Sequence, residues 1–282
     1  MGVALVNLVW RRLAVVPSVL HGSWQTLKPH YQSGVIPAAA WQLRQELEVP
    51  LIESINGAEC DSLAHELKDA SVIDEILRTY ERGNAQNLIA LCYLQMALDA
   101  SNPLGSDPSG SKSSPDNSQS SVTASAVAHI DRNQSADEKA DSHFGVIPDL
   151  PRLNQLPDDI QSLVARASLT WIPAEYPGLM PSVFRHLAYW PGLLLLITNR
   201  LETMERKSSH TIAPLATQVL ELASSQAAMM GEAGASLNEL NDTDRKWLQE
   251  VLDVFIEVML ARGVVIVPSL RSLLSFDERP NQ

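Results

Sequence analysis

The chain has 282 residues, 45% of them apolar and 19% charged, which is enough apolar matter for a sizeable core in one large or two smaller domains. A net charge of -12, with no basic run longer than Arg11-Arg12, argues against nucleic acid, whose phosphates need clustered Lys and Arg. Cys60 and Cys92 fit neither a zinc spacing nor a Cys-x-x-Cys redox pair, and no apolar run reaches the roughly 20 residues of a membrane-spanning helix. No metal, cofactor or membrane partner is expected.

Val3 to Val9 are apolar apart from Asn7, but Arg11 and Arg12 follow the run, whereas an export signal carries its charge in front. A cytoplasmic protein is therefore expected. The stretch Leu8-Val9-Trp10-Arg11-Arg12-Leu13-Ala14-Val15-Val16-Pro17 is helix-compatible up to Pro17, which lacks a backbone donor and disfavours α geometry at the preceding residue. One helix should stop there and another start with proline in its first turn. Over 36–47 and 72–80 the apolar positions recur at three and four, the pattern of amphipathic helices, with Ser71 as N-cap of the second. Gly83-Asn84 then reads as a C′ glycine and an N-cap asparagine, separating 72–80 from a further helix over 85–98.

From 101 to 143 Ser, Asp, Asn, Gly and Pro replace Leu and Val, with no sustained period. Such a composition cannot bury enough surface to offset the entropy of ordering, so this is expected to be a disordered linker, dispensable for folding. Later helices are predicted over 156–169, 181–190, 192–204, 212–229, 244–262 and 264–274. Val264 to Val267 are β-branched enough for a strand, but their place in a helical series favours helix. The fold class is all-α, with a first helical unit at 1–100, a Ser-rich linker at 101–147 and a second unit at 148–282.

The corner at Pro17 has a second copy, Phe184-Arg185-His186-Leu187-Ala188-Tyr189-Trp190-Pro191. The shift between the copies is 174 at the aromatic (184 − 10), the arginine (185 − 11) and the proline (191 − 17). A constant offset over several residue types points to two helical repeats, related by pseudo-two-fold symmetry. Moving the 156–169 helix back by the same shift places it before residue 1. The first repeat is therefore expected to lack its first helix, leaving Leu5, Leu8 and Trp10 uncovered, unless Met1 is internal to a longer reading frame.

These two corner motifs resemble the group I 2-haloacid dehalogenases, helical enzymes that hydrolyse both enantiomers of 2-halocarboxylic acids by direct attack of activated water. The resemblance spans both halves and leaves out the middle of the chain. It implies an apolar substrate pocket between the repeats, for which Leu5, Leu8, Ser182, Phe184, Phe255 and Met259 are the candidates. Phe255 stands where the enzymes have a tyrosine. Asn84, in its Gly-Asn pair, matches the family's asparagine that helps hold the hydrolytic water, although helix capping alone explains an Asn after Gly83 and is the preferred local reading; both can hold.

The family's general base is an aspartate between the serine and phenylalanine of this motif. Here that position is Val183, which cannot accept a proton, and its counterpart in the first copy is Val9 (183 − 174). Glu175, Asp253 and Glu257 are the nearest acidic substitutes. Arg185, shared with Arg11, is either a structural donor or an anchor for a substrate carboxylate. His186 reads as a partly exposed helix residue.

Nucleotide-binding loops, zinc helices and serine-hydrolase elbows are absent from the sequence. An alkylhydroperoxidase-D-like helical redox protein is set aside for want of Cys-x-x-Cys. Two readings remain. One is a hydrolase of carbon-halide bonds whose base comes from elsewhere; the other is a non-catalytic or differently catalytic protein that binds a small carboxylate or packs as a homodimer.

Overall fold

The computed structural model describes residues 8–47, 52, 54–101, 147–173, 175–176, 178–207, 212–231 and 235–274. Its secondary structure is helical, and no strand occurs among the described residues. The predicted linker falls almost wholly on 102–146 and so lies outside the described residues, as does Leu5. No described helix is long and apolar enough to cross a membrane.

The amino-terminal part contains α1 (Leu8–Leu13), α2 (Pro17–Gln32), α3 (Val35–Glu46), α4 (Gly57–Ser62) and α5 (Ala70–Ala100). The carboxy-terminal part contains α6 (Asp158–Leu169), α7 (Ser182–Leu187), α8 (Pro191–Lys207), α9 (Ile212–Ala228), α10 (Asp242–Asp253) and α11 (Ala261–Leu274). Between α10 and α11 the helix continues as a π-helical segment, Val254–Leu260. The period-based reading of 244–262 gave no sign of this change of winding, because the apolar pattern runs through it without a break.

The axis of the molecule is α5, 31 residues long, or about 46 Å at 1.5 Å per residue. Helices α3, α9 and α11 pack along it, together with the π segment. Its run Leu88–Leu91, with Ile73, Ile76 and Leu77, is fully buried in one continuous apolar core drawn from both parts of the chain.

The helix break expected at Gly83-Asn84 does not occur. Gly83 has no positive φ, unlike Gly34, Gly178 and Gly231, and α5 passes straight through it. A glycine inside a helix costs about 1 kcal/mol relative to alanine, far less than the packing of the helix on both sides of it. Asn84 is therefore an interior helix residue and caps nothing. Ser71 is likewise inside α5, whose first turn follows the 3₁₀ turn Glu66–Asp69.

Both proline corners form. Two six-residue helices, Leu8–Leu13 and Ser182–Leu187, are each followed by a helix starting at proline, Pro17 and Pro191. The second corner is clamped from the turn before α5. The Glu66 carboxylate accepts the backbone N–H groups of Gly192 (2.9 Å) and Leu193 (2.7 Å), and Asp69 accepts the Trp190 indole N–H at 3.0 Å. A carboxylate there satisfies the unpaired donors of the α8 start and complements its dipole. Helix α4 carries a capping box between Asn56 and Glu59 that the sequence reading did not pick out.

Candidate functional site

A cavity of about 1090 Å³ lies between the amino-terminal helices and α7 with the π segment, and one face of α5 forms its floor. The floor exists because positions four and three apart share a helix face. Tyr80, Asn84 and Asn87 line it, with Gly83 leaving space beside them. Leu8, Trp10 and Arg11 of α1, and His21 and Trp24 of α2, form one wall. Ser182 and Val183 of α7, with Phe255 and Met259 of the π segment, form the other.

Five of the pocket and site residues named from the resemblance to known enzymes thus come together with Asn84: Leu8, Ser182, Val183, Phe255 and Met259. Phe184 does not join them. It is fully buried and packs edge-on against Trp171, ring centroids 5.7 Å apart, because the helical turn from Val183 to Phe184 swings it by about 100° into the core. Val183 itself is 1% exposed.

None of the three acidic substitutes reaches the cavity. Glu175, Asp253 and Glu257 are exposed, and Asp253 accepts the Gln249 side chain at 2.7 Å on the outer surface. No Asp or Glu is among the described residues that line the cavity. Its charged lining side chains are Arg11 and Arg82.

Asn84 is 6% exposed, and its carboxamide makes no hydrogen bond to any described residue. Its position is set from behind by Gly263 of α11. A Cβ at 263 would stand 2.6 Å from Trp171 Cζ2 and 2.8 Å from Asn84 Nδ2, closer than packed atoms approach. Trp171 is tied to the same segment twice: its indole N–H donates to the Met259 carbonyl at 3.0 Å, and its own carbonyl accepts Arg262 Nη1 at 3.0 Å. π turns recur at functional sites, where the altered winding re-aims side chains and carbonyls. Here the π segment turns Phe255 and Met259 towards the cavity.

Comparison with protein-family models, with curated proteins and with solved structures found no match.

His186 is completely buried, contrary to the expectation of partial exposure. Its Nε2 lies 3.0 Å from the Pro148 carbonyl, which can only accept, so Nε2 carries the proton; Nδ1 then accepts the Tyr80 hydroxyl at 2.7 Å. Burial lowers the His186 pKa to about 4, keeping the ring neutral at ordinary pH. Both ring nitrogens are engaged, so the imidazole serves to hold Tyr80, whose own pKa burial raises.

Arg185 donates through Nε and Nη2 to the Pro151 carbonyl, a structural tie to backbone. It also stands within electrostatic reach of Tyr80 and of Arg11, its counterpart at the 174 shift. Burial foremost, and the Arg11 charge to a smaller extent, lower its pKa, with Tyr80 acting in the opposite sense. Neither arginine forms an ion pair with a described residue.

Tyr80, Asn87, Trp171 and His186 were not singled out as site residues from the sequence. For Tyr80 and Asn87 the signal was the polar and aromatic spacing of 80, 84 and 87, hidden by the supposed break at Gly83, whereas Trp171 and His186 come to the site only through packing. Among the described residues no group of three His, Cys, Asp or Glu side chains could hold a metal ion. Cys92 is buried, with its thiol pushed up to about 11 by that burial, and so lacks the low pKa of a nucleophile.

Proposed function

We propose that the chain is a relative of the group I 2-haloacid dehalogenases that binds a carboxylate without hydrolysing it. In this reading two helical repeats, related by pseudo-two-fold symmetry, enclose the cavity. The matching corners at Pro17 and Pro191 support the duplication. The observation that carries the functional reading is the charge of the cavity wall: guanidinium groups and carboxamides, with no carboxylate among its described residues. A guanidinium pairs well with a carboxylate through charge-assisted hydrogen bonds. Direct displacement of halide by water needs a group to take the proton, a contribution of about 10²–10⁴ in rate, and valine at position 183 cannot supply it.

Ligand-observed NMR with 2-chloropropionate and 2-chloropropionamide tests the reading. The acid should contact the protein and the neutral amide should not, and no chloride should be released from either enantiomer. Sustained turnover of both enantiomers would sink the non-hydrolytic reading; no contact with the acid would sink the carboxylate site. The family relation has its own test. Val183→Asp should give measurable chloride release, and the same change combined with Asn84→Ala should not.

A further inference from the structure

Asn84 and Asn87 stand three residues apart on α5, with Cβ atoms about 5–6 Å apart on one helix face, and both line the floor of the cavity at only 6% exposure. Asn87 accepts the Trp10 indole N–H through Oδ1 at 2.8 Å. An indole N–H can only donate, so this contact fixes the carboxamide and leaves its Nδ2 donors as the free edge. Asn84 is set the other way. Its Nδ2 lies against Gly263, where a Cβ would stand 2.8 Å away, which leaves Oδ1 as the edge turned from α11. Neither free edge has a hydrogen-bond partner among the described residues. Nor is either sealed in the core, as the unpaired Ser23 Oγ and Thr79 Oγ1 are; both stay accessible from the cavity that they line. A buried polar group without a partner is costly, and here a free donor and a free acceptor share one floor.

We infer that this pair is a recognition subsite for an amide, and that the ligand of the cavity is an N-acyl amino acid. The acid group rests on the carboxylate reading above; the amide and the acyl chain are what the floor and walls add. An amide offers its carbonyl to Asn87 Nδ2 and its N–H to Asn84 Oδ1, satisfying both carboxamides at once. A carboxylate has no hydrogen to give, so at Asn84 it would set oxygen against oxygen. It belongs instead with Arg11, the residue after Trp10, which lines the same wall and forms no ion pair with a described residue. In an N-acyl amino acid a single carbon separates the acid from the N–H, so contacts on neighbouring residues suit the two groups. The acyl chain meets the apolar lining of Leu8, Leu20, Pro37 and Met259. Size agrees. Cavities for drug-sized ligands run from about 300 to 1,000 Å³, and a three-carbon acid would leave most of 1090 Å³ unfilled. A small amide without the acid gains little, because it exchanges hydrogen bonds with water for similar ones with the protein.

Isothermal titration calorimetry with N-hexanoylglycine, 4-oxononanoate and N-hexanoylglycinamide separates the groups. 4-Oxononanoate is the same acid with a methylene in place of the N–H, so it leaves Asn84 Oδ1 unpaired and should bind about tenfold more weakly. N-Hexanoylglycinamide keeps the amide but loses the charge, and should also bind about tenfold more weakly. Asn84→Ala, its fold checked by melting in circular dichroism, should bring the ratio between N-hexanoylglycine and 4-oxononanoate to about one. The comparison in the unaltered chain decides the subsite independently of the variant's folding. Equal binding of the amide and the ketone there overturns the subsite and leaves the carboxylate reading standing, as does a ratio that survives Asn84→Ala. N-Hexanoylglycinamide binding as tightly as the acid, with the ketone still weaker, overturns the carboxylate reading and leaves the amide subsite standing. No binding by any of the three overturns both.

Discussion

Gly263 is the residue on which the placement of Asn84 depends. Its missing Cβ lets Trp171 and Asn84 close over α11, so Gly263→Ala must push an indole ring and a buried carboxamide aside. Overpacking of this kind costs about 1–3 kcal/mol, and urea unfolding should show a loss of that size, opposite in sign to the gain of an ordinary Gly→Ala change within a helix. The neighbouring Trp171→Phe keeps most of the ring but removes the donor to the Met259 carbonyl. A loss of about 1–2 kcal/mol is expected, and equal stability of the two proteins would show that carbonyl to be satisfied otherwise. His186 makes a prediction in pH. Its folded pKa of about 4 lies below the ordinary 6.5, so between these values the unfolded chain binds the extra proton and stability falls as pH falls. The effect is fully absent above pH 6.5 and complete below about 4. Comparing the chain with His186→Gln by urea unfolding at pH 7 and pH 5 isolates it, because the variant should lose less stability on acidification.

At the scale of elements, the corner between α7 and α8 depends on charge placed far away in sequence. Glu66 caps the α8 start through two short hydrogen bonds to backbone, and Gly192 is needed because a Cβ there would meet Glu66 Oε1 at 2.9 Å. Glu66→Ala should cost about 1 kcal/mol or somewhat more, as the loss of a helix cap does, with part of the difference removed by 1 M salt because the dipole contribution is screened. No salt dependence of that difference would assign the whole effect to hydrogen bonding. The corner was legible in the sequence from Pro191. Its partner was not, because nothing local to Glu66 marks it as a cap for a helix 125 residues away. The opposite error occurred within α5, where Gly83-Asn84 carries every local sign of a helix end. Packing of Leu77, Ala85 and Leu88 on either side overrides that sign, and the same override turns Asn84 from a cap into a cavity residue.

For the whole molecule, the core runs without interruption through both halves, with α5 of the first packed by α9 and α11 of the second. Differential scanning calorimetry should therefore give one cooperative transition, and residues 1–100 alone should show little helical signal by far-UV circular dichroism. Two separated transitions would mean that each half folds by itself. The sequence alone determined the all-helical class, the two proline corners at a spacing of 174 and most helix positions, since each depends on local period and on proline chemistry. It also determined the absence of a carboxylate at Val183, because identity at one position needs no folding. Only the tertiary structure decided which residues meet. The cavity joins side chains from α1, α2, α5, α7 and the π segment, the burial of His186 comes from neighbours far along the chain, and the surface placement of Glu175, Asp253 and Glu257 follows from which helix face packs. The physical reason is that period and capping are encoded within a turn or two of chain, whereas distance between helices is set by the packing of the whole core.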